Sequence, residues 1–327
     1  QMGFTRPPDD GFYSSIPDEN GGDDQYDVYI YNLEAGVYGW VSAEYLTADN
    51  PNSISTTELF AATSFMAMRN HYTDFGPQTE IESIKVTAAH EYFHAVQNGY
   101  NSNSAAWLME ATAAWIEDEI YNDVNDNYQY LGNWFKEPHI ALNYNHHDDD
   151  GSAIDYGGNI GIQENESHWY GSWIFFRYIS EHMVPSNGNG YETIRNIFEK
   201  DIFLSDGDDD RSIEAIDEGV NSVDQSYSFK AALNGMALAN SMLTTAGDYS
   251  YTEAEYYNNY PINLGIKYSD IFPDSEETFE LTDGTLMRYA SHYFELNTVP
   301  SSINVTFEPY NNGTSFQVNA ISFSSNP

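Results

Sequence analysis

The sequence predicts an α+β fold: an N-terminal β-sheet, a mainly helical lower part, and a small β-sandwich-like domain at the C-terminal end. Three observations predict it. Strand-type alternation dominates the stretch before Gly76-Pro77. The apolar period then lengthens to that of helices from Thr79 onward. Past Ile262, short segments rich in Thr, Val, Tyr and Phe return, separated by turn residues as in β-sandwiches. The organisation read from this is an arm over 1–22, a main domain over 23–250 and a C-terminal β domain over 262–327.

The elements follow in order. The arm is rich in Pro, Gly and Asp. "YDVYIYNL", Tyr26 to Leu33, alternates as a strand, and "GVYGWVSAEYL" gives a turn and a second extended piece. "TSFMAMRNHY", Thr63 to Tyr72, is the third strand. Thr79 and Glu82 form a capping-box pattern, and Ile81, Ile84 and Ala88 continue an apolar helical stripe that Gly99 is placed to end. The loop "GYNSNS" offers Ser104 as N-cap of a second helix over about Ala105–Tyr121. Further helices are expected at Tyr128–Phe135, in "HWYGSWIFFRYISEHM", and at Tyr191–Lys200, Ser212–Glu218 and Ser226–Leu243.

Charge narrows the partners. The 327 residues carry 11 basic and 51 acidic side chains, a formal net charge of −40. Such a surface repels phosphate backbones and anionic headgroups, so nucleic acid and acidic membranes are poor candidate partners, and none is expected. It attracts divalent cations and stays soluble in salt, where its self-repulsion is screened. No apolar run is long enough to cross a bilayer, which excludes membrane insertion. The absence of cysteine excludes disulfides and thiolate metal ligands. A texture rich in Tyr, Asn, Ser and Gly points to an extracellular or cell-surface protein, and a start at Gln1-Met2 is compatible with a leader already removed. Sequons for a glycoprotein stand at Asn165, Asn304 and Asn312.

The chemistry concentrates in "VTAAHEYFHAVQNGY". Helical spacing of four puts His90 and His94 on one face, where two imidazoles can share a metal ion. Glu91, beside the first histidine, is placed to act as general base toward an activated water. A catalytic zinc site needs a third protein ligand. Glu110, in "WLMEATAAWIEDEIY", supplies it from the next helix, which the short loop folds back on the first. Ala113 and Ala114 allow the two helices to approach closely. Glu117, two turns past Glu110, can accept a hydrogen bond from the N–H of a ligand histidine and orient it.

These residues resemble the gluzincin metallopeptidases, which take two histidines from a His-Glu-x-x-His helix and a glutamate from the next. The likeness is to secreted bacterial and archaeal metalloproteases distantly akin to hyicolysin. It is strongest from Val86 to Glu181 and extends through Glu117–Asp126 and the "Tyr-Gly … Phe-x-Arg-Tyr-x-Ser-Glu" helix at Tyr170–Glu181. It implies a zincin-like main domain, with His90, His94 and Glu110 as Zn2+ ligands and Glu91 as base and proton shuttle. The family draws an oxyanion donor from a later segment, where Tyr170 and, second, His168 are the candidates. It implies an edge strand ahead of the zinc helix, here "TSFMAMRNHY", that holds an extended peptide or protein substrate. Thermolysin-type enzymes often place Asp four residues after the glutamate ligand; here that position is Ala114, so Glu117 is the candidate replacement. The Gly-x-Met-Glu-Asn signature of the aminopeptidases is absent, which favours cleavage within chains.

The expectation is therefore a secreted zinc metalloendopeptidase. Arg177, on the Tyr170 face, is expected to pair with acidic side chains rather than with substrate. "DVNDN", Asp123 to Asn127, fits the first half of a calcium loop, but Tyr128 stands where Gly is needed and no Glu follows where one is required; the acidic loops "NHHDDDGSAID" and "DGDDDRSIE" are candidate Ca2+ loops, each more often a solvated turn. The alternative is a surface or assembly protein on a metalloprotease scaffold, self-associating through its C-terminal β domain. A calcium-dependent carbohydrate binder is a third reading.

Overall fold

Two local signals shape the first long helix of the computed structural model, which describes residues 2–11, 23, 25–54, 56–73, 75–144, 167–201, 211–260, 266–268, 289–291 and 293–296. The capping box forms as the sequence predicts. The Thr79 hydroxyl accepts from the Glu82 amide, and the Glu82 carboxylate accepts from the Thr79 amide at 2.8 Å. The helix, α1 (Glu80–Asn98), stops at Gly99 with an ordinary right-handed φ of −71°. Glycine is needed here for a close approach: a Cβ would lie 3.0 Å from Asn50 Nδ2 and 3.3 Å from Pro7 Cα. Asn50 Nδ2 uses that space to donate to the carbonyls of Gly99 and Arg6, tying the arm to the helix end.

Three strands precede α1. They are β1 (Val28–Tyr31), β2 (Gly39–Ala48) and β3 (Ala61–Arg69), ordered β1-β3-β2. β3 pairs in parallel with β1 and antiparallel with β2. The expected edge strand is thus the centre of the sheet, and the edges are β1 and β2. The residues explain the correction: eight of the nine positions of β3 are buried, as a central strand requires, whereas all four of β1 are exposed. Met66 and Met68 of β3 cluster with Tyr72, Tyr38, Val41 and Ala88 between sheet and α1.

α1 departs from the expected stripe. Ile81 and Ile84 are 62% and 39% exposed. The buried face carries Ser83, Val86, Thr87, His90, Glu91, Phe93 and His94 instead. The next helix, α2 (Ala106–Ile120), is the axis of the molecule. Trp107, Leu108 and Ala111 through Ile116 are all buried. The cap of α2 is not Ser104: the N-cap is Ala105, with no side-chain bond, because the Ser104 hydroxyl is taken by the Asp201 carboxylate.

The chain continues through a 3-10 turn (Asp126–Tyr130) into α3 (Leu131–Trp134), then α4 (Ser167–Gly171) and α5 (Trp173–His182), separated by Ser172. α6 (Gly190–Lys200), α7 (Ser212–Val223), α8 (Phe229–Met242) and α9 (Ala254–Tyr257) complete the helical body. α2 packs against α1, α4 and α5. Buried tryptophans bring apolar bulk, and four of their indole N–H groups find acceptors: Trp107 on Ser212, Trp115 on Ser180, Trp169 on the Tyr144 carbonyl and Trp173 on the Asn127 carbonyl.

Most of the expected β-sandwich-like domain lies outside the described residues, as do "NHHDDDG", His146-His147 and Asn165. The described part is a parallel pair, β4 (Ile266–Tyr268) with β5 (Phe294–Leu296). Just before β5, the chain touches the helical body. The Ser291 amide donates to the Pro138 carbonyl, and the Tyr293 hydroxyl donates to the Ala237 carbonyl. The whole is a mixed α/β arrangement with a small three-stranded sheet. No helix among the described residues is long and apolar enough to cross a membrane.

Candidate metal centre

α1 and α2 bring the predicted ligands together. Glu110 Oε2 lies 3.2 Å from His90 Nε2 and 3.6 Å from His94 Nε2. Among the described residues, His90, His94 and Glu110 form the one group of three or more such side chains whose donor atoms converge, all within 4.8 Å. Ala113 and Ala114 are fully buried, so the close approach expected of the two helices is real.

Hydrogen-bond logic fixes how each imidazole presents itself. His90 Nδ1 lies 2.6 Å from Glu117 Oε1, so Nδ1 donates to the carboxylate. His94 Nδ1 lies 2.7 Å from Gln97 Oε1. The Gln97 Nε2 group donates to the Met109 carbonyl at 2.9 Å and to Thr112 Oγ1 at 2.8 Å. Its oxygen is therefore the atom facing His94, and Nδ1 donates there too. Both Nε2 atoms are thereby turned toward Glu110.

Two ring nitrogens and a carboxylate oxygen thus converge, a set that a bound cation, or a proton shared between His90 and Glu110, would satisfy. The spacing suits zinc. Ligands about 2.0–2.1 Å from a tetrahedral ion stand about 3.3 Å apart. Electrostatics agree. Burial disfavours a charged His90, yet Glu110 and Glu117 outweigh it and hold the imidazole well above its usual range. Burial pushes Glu110 up, but His94 and His90 prevail and lower it. The centre is built to surround positive charge.

Glu91 is buried at 6% exposure beside the ligands. Burial raises its pKa, while His90 and His94 pull it down. β2 holds it from the other side. A Cβ at Gly39 would stand 2.8 Å from Glu91 Cγ and 2.9 Å from Oε1, so only glycine leaves this carboxylate its place.

Tyr170, on α4, reaches the centre. Its ring lies 5.9 Å from that of His90. Burial, then the charges of Glu110 and Glu91, raise its pKa, so the phenol keeps its proton. Tyr130 stacks on it at 4.9 Å and 20°. His168, two residues away, is not brought to the ligands. It is 2% exposed, its Nε2 donates to the Ala141 carbonyl at 3.0 Å, and its ring packs on Trp134. This corrects its candidacy as oxyanion donor, since its side of α4 faces the protein wall. Arg177 behaves as expected: it is enclosed by Asp118, Glu119, Glu181 and Glu253 at 2.8 to 3.2 Å.

Three functional positions escaped the sequence reading. Gln97 stands three residues past His94, a spacing that shares its helix face and could have flagged it. Gly39 and Tyr130 meet the site only through tertiary packing, which no local pattern reveals. No protein-family model, curated protein or solved structure matches this chain.

Proposed function

We propose that the protein is a zinc-dependent endopeptidase with a zincin-like main domain, secreted or held at a cell surface. The observation that carries the reading is the convergence of His90 Nε2, His94 Nε2 and Glu110 Oε2, with both Nδ1 protons committed elsewhere. Zinc bound there supplies Lewis acidity toward a carbonyl oxygen and acidifies water. The remaining steps belong to the chain. Glu91 accepts the proton of the attacking water on its carboxylate and delivers it to the departing amine nitrogen. Tyr170, a protonated phenol beside Glu110, donates its O–H to the carbonyl oxygen as negative charge develops. Glu117 and Gln97 hold the two imidazoles in one tautomer.

A peptide substrate fits the sheet. β2 pairs with β3 alone among the described residues, and its first residue, Gly39, touches Glu91. An extended chain hydrogen-bonded along the edge of β2 opposite β3 would pass that carboxylate. The edge role expected of "TSFMAMRNHY" passes in this reading to β2.

The test is Glu91→Gln. Zinc content stays at the wild-type value, while kcat/KM on an unfolded protein substrate falls about 1000-fold, the usual scale for loss of a general base. Undiminished hydrolysis in this variant would sink the mechanism. Zinc retained by a wild type that cleaves no unfolded protein would favour the surface or assembly reading.

A further inference from the structure

We propose that Gln97 is a positioning residue of the metal centre: one side chain sets the tautomer of His94 and latches it to α2, the helix that carries Glu110. The inference rests on the zinc reading above and adds a residue to it.

The geometry is one continuous chain of hydrogen bonds. His94 Nδ1 meets Gln97 Oε1 at 2.7 Å. Gln97 Nε2 then crosses to α2, to the Met109 carbonyl at 2.9 Å and Thr112 Oγ1 at 2.8 Å. The Thr112 hydroxyl spends its own proton on the Leu108 carbonyl at 2.7 Å, so toward Gln97 it can only accept. Every group has one consistent role, and Gln97 has no solvent exposure through which water could substitute. Met109 and Thr112 bracket Glu110 in sequence, so the amide is anchored one residue before and two residues after the third ligand.

Chemistry explains why the residue is an amide. Glu91, Glu110 and Glu117 already place three carboxylates around the centre. A fourth buried carboxylate at 97 would add uncompensated charge and would present an acceptor to the Met109 carbonyl. A shorter amide could not span the gap between the helices. Gln97 is the neutral counterpart of Glu117: each accepts a hydrogen bond from the Nδ1–H of one histidine of α1, Glu117 from α2 and Gln97 from α1 while gripping α2. The latch leaves His94 Nε2 as a lone-pair donor and fixes its direction relative to Glu110.

The test pairs two measurements. In Gln97→Leu, zinc affinity by chelator competition falls about 10- to 100-fold, the range typical when a partner of a ligand histidine is removed. The visible absorption of the Co2+-loaded variant changes as well, while circular dichroism remains that of the folded wild type. A merely structural glutamine would move stability and leave both metal readouts alone. Wild-type zinc affinity and an unchanged Co2+ spectrum in the folded variant would overturn the inference. If the variant does not fold, the wild type decides. In the zinc-loaded, 15N-histidine-labelled protein, His94 must show a slowly exchanging Nδ1 proton, and its absence overturns the inference. A wild type that takes up no zinc overturns the metal reading itself, a result separate from both.

Discussion

Gly39 and His168 illustrate how single positions act. Gly39 sits where a Cβ would meet the Glu91 side chain at 2.8 Å. Gly39→Ala is expected to displace that carboxylate and lower kcat/KM about 10- to 100-fold with zinc content unchanged, since small misplacements of a catalytic group carry such costs. Steady-state kinetics beside metal analysis would check it; a fully active variant would show that Glu91 does not depend on this contact. His168 acts on stability. Burial lowers its pKa from 6.5 to about 4, against the opposing pull of the Ala141 carbonyl. As pH falls below 6.5 the unfolded chain takes up a proton that the folded one refuses, so stability drains away down to pH of about 4. The effect amounts to about 3 kcal/mol. His168→Asn, which keeps a donor for Ala141, should flatten urea-unfolding stability across that window relative to wild type. Parallel pH profiles would contradict the assignment. At this scale the sequence was most legible where spacing alone places a side chain. His90, Glu91, His94 and Glu117 follow from helix periodicity, whereas the side of α4 that His168 faces depends on packing.

Elements were legible where their signals are local. The capping box at Thr79 and Glu82 forms as read, and α2 starts one residue from its expected first position. The misreadings came from long-range competition. Ser104 is drawn to Asp201, 97 residues away, instead of capping α2. Ile81 and Ile84 have helical spacing but stand at the exposed start of α1, and the buried face is given over to polar site residues. The resemblance implies an edge role for β3, yet it lies in the middle because β1 and β2 both pair with it. α2 also carries the other charged centre of the molecule. Asp118 and Glu119 meet Arg177 of α5 at 3.2 and 2.8 Å, with Glu181 and Glu253 completing the ring. Removing the one cation leaves buried carboxylates unpaired. Arg177→Met is expected to cost about 3–5 kcal/mol in urea unfolding. A loss below 1 kcal/mol would mean that these carboxylates shed their charge on burial; burial already pushes Asp118 up to about 7, against the pull of Arg177.

At the scale of the whole molecule, a net charge of −40 opposes compactness. The Debye length shrinks from about 10 Å at 0.1 M salt to about 3 Å at 1 M. The thermal midpoint should therefore rise by several degrees over that range, equally in NaCl and KCl. A midpoint that ignores salt would show that the acidic side chains are already compensated locally. The same charge favours cations near the proposed metal centre, but the general field does not choose among them. In the zinc reading proposed above, the choice belongs to two imidazoles and one carboxylate whose donor atoms converge within 4.8 Å. Zinc stoichiometry of the purified protein, compared with Glu110→Gln, tests this most directly. About one zinc per wild-type chain, lost from a folded Glu110→Gln variant, is the result expected; a wild type without zinc, or a variant that keeps it at full affinity, would contradict the account.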